Sequence, residues 1–145
     1  MDVLQLLKNE LKERQNDMSS FISGVAGQSW QQVANHLKAH LILELEYLMP
    51  ELAAVSPKQD TALQRLEIDL INLKQFLDSL GMDKKPGHNL LLNLRDTLDR
   101  HVVLIEDRIL PLMRQRISTS DREELYDAMQ DAKHDIIRAT MGLAI

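Results

Sequence analysis

His40-Leu41-Ile42-Leu43-Glu44-Leu45-Glu46-Tyr47-Leu48-Met49-Pro50 is the stretch that decides how this chain is read. It is strongly apolar, yet His40 and Glu44 fall one helical turn apart inside it. At about 100° per residue the two stay within roughly 40° of each other on a helix, on the side that carries Leu37, Leu41 and Leu48. A second stretch repeats it 61 residues later as His101-Val102-Val103-Leu104-Ile105-Glu106-Asp107-Arg108-Ile109-Leu110-Pro111. His40 aligns with His101, Leu48 with Ile109, Met49 with Leu110 and Pro50 with Pro111. Two helices that each bring a histidine and an acid to an apolar face predict a polar site assembled between helices.

Leucine stripes extend outward from this pair. Leu4, Leu7, Leu11, Met18 and Phe21 or Ile22 mark a first helix over about Asp2 to Ile22, closed by Gly24 to Gly27. Glu10 and Arg14 read as an exposed pair four residues apart on it. The second helix opens near Ser29, where Gln32 completes a capping box, and Pro50 predicts a kink or an end close to Met49. Leu63, Leu66, Leu70, Leu73, Leu77 and Leu80 make a third helix that stops at Gly81. A fourth, from His88 or Asn89, carries Leu91, Leu94, Leu98, His101, Val102, Ile105, Ile109 and Leu112. A weaker fifth opens at Ser120, with Glu123 as its capping partner, shows Leu125, Met129, Ala132, Ile136 and Thr140 on one edge, and ends at Gly142. Four long amphipathic helices with short links predict an all-α, antiparallel up-down-up-down four-helix bundle with an extra C-terminal helix. Residues 1–145 form a single domain on this reading, with the fifth helix along one side, across one end or against a second copy.

Composition narrows the function classes. The chain has no cysteine, which excludes disulfides, thiolate metal sites and thiol catalysis, and the expected location is cytoplasmic. Acidic residues come too early for a secretory signal, and charges interrupt each apolar stretch well before the roughly 20 residues a membrane span needs. A formal net charge of -5 with no basic stripe argues against nucleic-acid and membrane partners. Phosphate-binding glycine loops and Ser-His-Asp arrangements are absent, so neither phosphoryl transfer nor covalent hydrolysis has a motif.

Imidazole and carboxylate without thiolate suit iron, manganese or zinc. Inward-facing His40, Glu44, His101 and Glu106 must be paired, protonated or metal-bound. His101 and Glu106 are five apart, about 140° on an ideal helix, so Glu106 has to reach back toward the axis to join the others.

His40-xxx-Glu44-xxx-Leu48-Met49-Pro50 together with His101-xxxx-Glu106-xxx-Leu110-Pro111 resembles the hemerythrin-like, or HHE cation-binding, domains over nearly the whole of the first four helices. The resemblance implies a four-helix bundle in which Glu44 and Glu106 bridge two irons, His40 binds one iron and His101 the other. It also implies oxygen or redox sensing, with dioxygen as a ligand, or metal handling. The chain departs from the family at two places. Leu11 follows Leu6-Leu7-Lys8-Asn9-Glu10 where the family has a histidine, and Leu70 follows Asp69 where it has another. A further family histidine in the third helix has no counterpart at Leu73 or Lys74.

Two functional readings follow. The first is a divergent metal-binding domain that uses His40, Glu44, His101 and Glu106, with Glu10 or Asp69 turning inward as a substitute ligand. The second is a metal-free interaction or scaffold module that presents the fifth helix to a protein partner or to a second copy in a homodimer. No substrate-binding cluster is visible, which favours binding over catalysis. His36, His88 and His134 lie outside the central pattern.

Overall fold

Side-chain caps set the helix starts. Asp2 accepts from the Leu4 N–H at 3.1 Å and opens α1, Val3–Ser23. Ser29 and Gln32 exchange the expected capping-box hydrogen bonds, 3.2 Å and 2.9 Å, at the start of α2, residues 30–54. Asp60 accepts from the Leu63 N–H and opens α3, Thr61–Leu80; α4 covers residues 88–116, and α5 is Thr119–Thr140. The computed structural model describes residues 2–25, 27–81 and 83–140. Ala26 and Met82, at two expected turns, and Gly142, the expected end of the fifth helix, lie outside them, as does the Thr140 side chain. Among the described residues every regular element is helical.

Two helix ends rest on glycine where the backbone demands it. Gly24 adopts φ 76°, and the Val25 N–H returns to the Ser20 carbonyl, so the last carbonyls of α1 are satisfied without a Cβ clash. Gly81, φ 70°, closes α3. Its carbonyl accepts from Trp30 Nε1 at 2.9 Å, which ties the start of α2 to the end of α3. Trp30→Phe keeps the apolar packing and removes that donor. It should lower stability by about 1 kcal/mol in urea unfolding, and no change would show the carbonyl is satisfied elsewhere.

Of the two outcomes expected at the prolines, an end to the helix does not occur. α2 does not end near Met49; it runs on to Ala54 through a widened turn, Glu44–Leu48, where the Met49 N–H reaches back to the Glu44 carbonyl. α4 does the same at Ile105–Ile109, with the Leu110 N–H on the Ile105 carbonyl. Pro50 and Pro111 each lack an N–H and would press on the carbonyl four residues back. Shifting the preceding turn to five-residue spacing relieves that clash and lets the helix continue.

The leucine stripes become one core. Leu7, Leu11, Leu37, Leu41, Leu66, Leu70, Leu73, Leu94 and Leu98 are all buried in a single connected cluster. α1 lies against α2 and α4, and α3 against α2 and α4. α5 starts earlier than expected: Ser118, not Ser120, caps it by accepting from the Asp121 N–H. It then lies along α2 and α1 and buries Leu125 and Met129. The apolar edge that sequence alone leaves open is thus used inside the chain.

Candidate functional site

α2 brings His40 to the edge of its widened turn and Glu44 to the start of it; α4 brings His101 to the same point of its own. All three side chains are inside the core, with Glu44 at 0% exposure, His101 at 1% and His40 at 2%. His40 Nε2 lies 2.6 Å from Glu44 Oε2, and His101 Nε2 lies 3.0 and 3.1 Å from Glu44 Oε1 and Oε2. One buried carboxylate therefore faces two imidazoles from different helices.

The far side of each ring also faces a carboxylate. His40 Nδ1 is 3.9 Å from Glu10 Oε2 on α1, and His101 Nδ1 is 3.9 Å from Asp69 Oδ2 on α3. Glu10 in turn contacts Lys133 on α5 and lies 4.0 Å from Arg14; Asp69 is paired with Arg65 at 3.3 Å. Charges of alternating sign cross the interior in the order Lys133, Glu10, His40, Glu44, His101, Asp69, Arg65.

Each predicted site residue has a definite place. His40, Glu44 and His101 come together. Glu106 does not: it is exposed, and Ile105, four residues after His101 as Glu44 is after His40, occupies the buried position. The extra residue of rotation carries Glu106 to the outside, and its length does not bring it back. Glu10 and Asp69 do turn toward the cluster, but behind the histidine rings rather than beside Glu44. Glu10 and Arg14 are buried, not an exposed pair, because α5 covers that side of α1 and pairs Lys133 with Glu10. Leu11 and Leu70 are fully buried core residues. His36 is half-buried, and His88 and His134 are exposed, so none joins the cluster. Sequence reading misses Lys133 and Arg65 as members. The docking of α5 is needed to find Lys133, whereas the four-residue spacing of Arg65 and Asp69 is a signal that could pair them.

The charge states follow from this geometry. Burial alone would push the Glu44 pKa up, but His101 and His40 on either side outweigh it and hold the carboxyl at about 2. Burial would likewise push His101 down, yet Glu44 in front and Asp69 behind raise it to about 9. His40 is raised in the same way, against its desolvation, by Glu44 and Glu10. Glu10, despite its burial, is lowered to about 2 by His40 and Lys133. In this state both histidines are cations, each held between carboxylates.

The donor set permits a metal ion of restricted kind. Two imidazole nitrogens and a carboxylate are the chemistry of iron, manganese and zinc. Adjacent ligands about 2.1 Å from an ion lie roughly 3 Å apart when they subtend a right angle at it. The His101–Glu44 distances match that spacing, and the shorter His40–Glu44 approach requires the ring to move a few tenths of an ångström. His40 Nδ1 and Nε2 and His101 Nδ1 are buried without a well-directed hydrogen bond, so these rings have bonding capacity left. A bridged pair of ions does not fit, because Glu106 is outside and Leu11 and Leu70 offer no donor. Among the described residues no group of three or more His, Asp or Glu is already spread as a metal site. The His40–Glu44 and His101–Glu44 pairs thus have the separations of adjacent ligands on one ion to within a few tenths of an ångström.

No protein-family model, no curated protein and no solved structure matches the chain.

Proposed function

We propose that this protein is a divergent hemerythrin-like domain, an antiparallel up-down-up-down four-helix bundle with α5 alongside, that binds a single divalent ion of the iron class through His40, Glu44 and His101. The observation that carries the reading is the double facing of each imidazole. Nε2 points at the shared Glu44 carboxylate while Nδ1 is backed by Glu10 or Asp69. An outer carboxylate behind a ligating histidine fixes the ring and raises its basicity, and such partners accompany histidine metal sites closely. Iron held there would supply Lewis acidity and one-electron redox chemistry. The chain's own part is to present two nitrogens and one carboxylate from a dry interior, which suits sensing or metal handling more than turnover of a substrate.

Loading displaces protons, because the imidazoles must be neutral to donate their lone pairs. The ion therefore competes with the charge-paired state and should bind better as pH rises from about 6 to about 8. Protein stripped with chelator and carrying no histidine tag should gain thermal stability on anaerobic addition of ferrous ion, with one equivalent retained after desalting. His101→Ala should abolish both responses, whereas Glu106→Gln should leave them intact. Retention far below one equivalent, with no shift in melting, would reject the reading.

A second reading is favoured by one observation. Lys133 and Arg65 close the row at both ends, so each of its three carboxylates stands between two cations with no ion in it. On this reading the cluster is a structural device of a metal-free interaction or scaffold module. The same melting experiment separates the two, since a module without metal is indifferent to chelator and to added ion.

A further inference from the structure

A pocket of about 420 Å³ opens on the outer side of the α3–α4 seam, where Asp69 forms part of its wall. Its position follows from helical spacing. Arg65 and Asp69 stand one turn apart on α3, and Arg100, Val103, Asp107 and Arg108 lie along one face of α4. The widened turn at Ile105–Ile109 falls opposite and sets Asp107 and Arg108 outward.

Three guanidinium groups line this pocket in a chain whose formal net charge is -5. Arg65 is committed to Asp69, and through it to the buried cluster. Among the described residues the other two hydrogen-bond only to neutral oxygens. Arg100 donates to Thr97 Oγ1 and Arg108 to Thr61 Oγ1, both at 3.3 Å. Long single bonds to hydroxyls leave most of the donors of each fork available, and a fork of that shape matches a carboxylate through two parallel bonds. Between the two arginines lies Val103, 57% exposed, an apolar wall on an otherwise charged face.

We propose that this pocket binds a small organic monoanion, a carboxylate on a short hydrocarbon or aromatic body. Charge sets the valence. Asp69 offsets Arg65 and Asp107 stands beside Arg108, so three cations and two anions leave one positive charge for the ligand. A phosphate dianion would meet the Asp107 carboxylate with more charge than the wall can neutralise. Apolar surface sets the rest of the molecule, since Val103 has no partner to bury it and the volume lies within the roughly 300–1,000 Å³ of small-molecule pockets. Asp69 is common to this wall and to the row behind His101, but Arg100, Arg108 and Val103 are not, and the proposal stands whether or not His40, Glu44 and His101 hold an ion.

The experiment is a titration of the intact, isotope-labelled chain followed by NMR, with benzoate as the monocarboxylate probe and inorganic phosphate as the competing anion. Benzoate should give saturable shifts at the Arg100 and Arg108 Nε–H signals and the Val103 methyls. Phosphate should bind the same signals more weakly. Arg100→Gln with Arg108→Gln should weaken benzoate by about tenfold or more. Val103→Asp, which keeps every arginine, should weaken it comparably, so that loss of binding does not depend on one variant alone. All three positions are exposed, and an unchanged amide spectrum elsewhere checks that the fold is kept. Shifts that never saturate, or that appear equally at Lys84 and Lys85, would overturn the proposal. Phosphate binding as tight as benzoate would overturn it too, as would variants with parental affinity.

Discussion

Replacing Glu44 with alanine should destabilise the metal-free protein by about 3–5 kcal/mol, the cost of breaking a buried ion pair from one side. Among the described residues the carboxylate is the only negative group that both Nε2 atoms face, at 2.6 to 3.1 Å. Without it two buried imidazoles confront each other, and each must give up its proton or draw in water. Deleting the fully buried side chain also leaves a void, which adds to the loss. For a chain of this length each kcal/mol corresponds to roughly 2–4 °C, so melting should fall by about 6–20 °C. Glu106→Ala is the matched control. Its side chain is exposed, and the change should stay within about 0.5 kcal/mol. Urea unfolding of both variants in chelator decides the matter: an E44A protein within about 1 kcal/mol of the parent would mean that the three buried groups are not charge-paired.

The second large effect is on pH. His101 titrates at about 9 in the folded chain against an ordinary 6.5. Its contribution is therefore fully present below about 6.5 and is lost as pH rises through about 9. Glu44 is held at about 2 against an ordinary 4.5, so its contribution is present above about 4.5 and is lost as pH falls toward 2. Glu10 moves in the same direction as Glu44. Metal-free stability should thus be greatest between about pH 4.5 and 6.5 and decline on both sides. Because Glu44 and His101 share one interaction, the two wings report a single ion pair, discharged by protonating the acid or by deprotonating the base, and are not to be added. The alkaline wing should amount to about 3 kcal/mol between about pH 6 and 10. His101→Gln should remove most of it, whereas a parent whose urea midpoint stays level across that range would contradict the assigned charge states.

Most of the helical architecture is legible in the sequence, because leucines at three- and four-residue spacing have one economical use in water. Ser29 with Gln32 and Gly24 also declare themselves, since caps and glycine termini are local chemistry. What the sequence hides depends on packing between distant segments. The apolar edge of α5 carries no address, so its docking on α1 and α2, and the burial of Glu10 and Arg14 beneath it, are invisible until the chain is folded. The prolines mislead in one respect. Pro50 and Pro111 follow a widened turn and do not end their helices, and counting residues cannot tell a helix end from a bulge. His40, Glu44 and His101 are read correctly as inward-facing because they keep step with leucine. Glu106 is the instructive exception: the five-residue spacing that the resemblance makes attractive is the rotation that takes it out of the core.

The buried position four residues after the histidine holds Glu44 in one half of the chain and Ile105 in the other. The two halves resemble each other in pattern, but at this position they have become complementary and are no longer interchangeable. A protein built from two first halves would face four buried carboxylates, Glu10 and Glu44 twice over, with two histidines to neutralise them. One built from two second halves would set a pair of histidines against isoleucine, with no anion between them. Only the mixed pairing gives one central acid for two bases. If the chain descends from a duplicated hairpin, that single substitution at the centre is what makes each half require the other, and it would select the fused order over any assembly of identical hairpins.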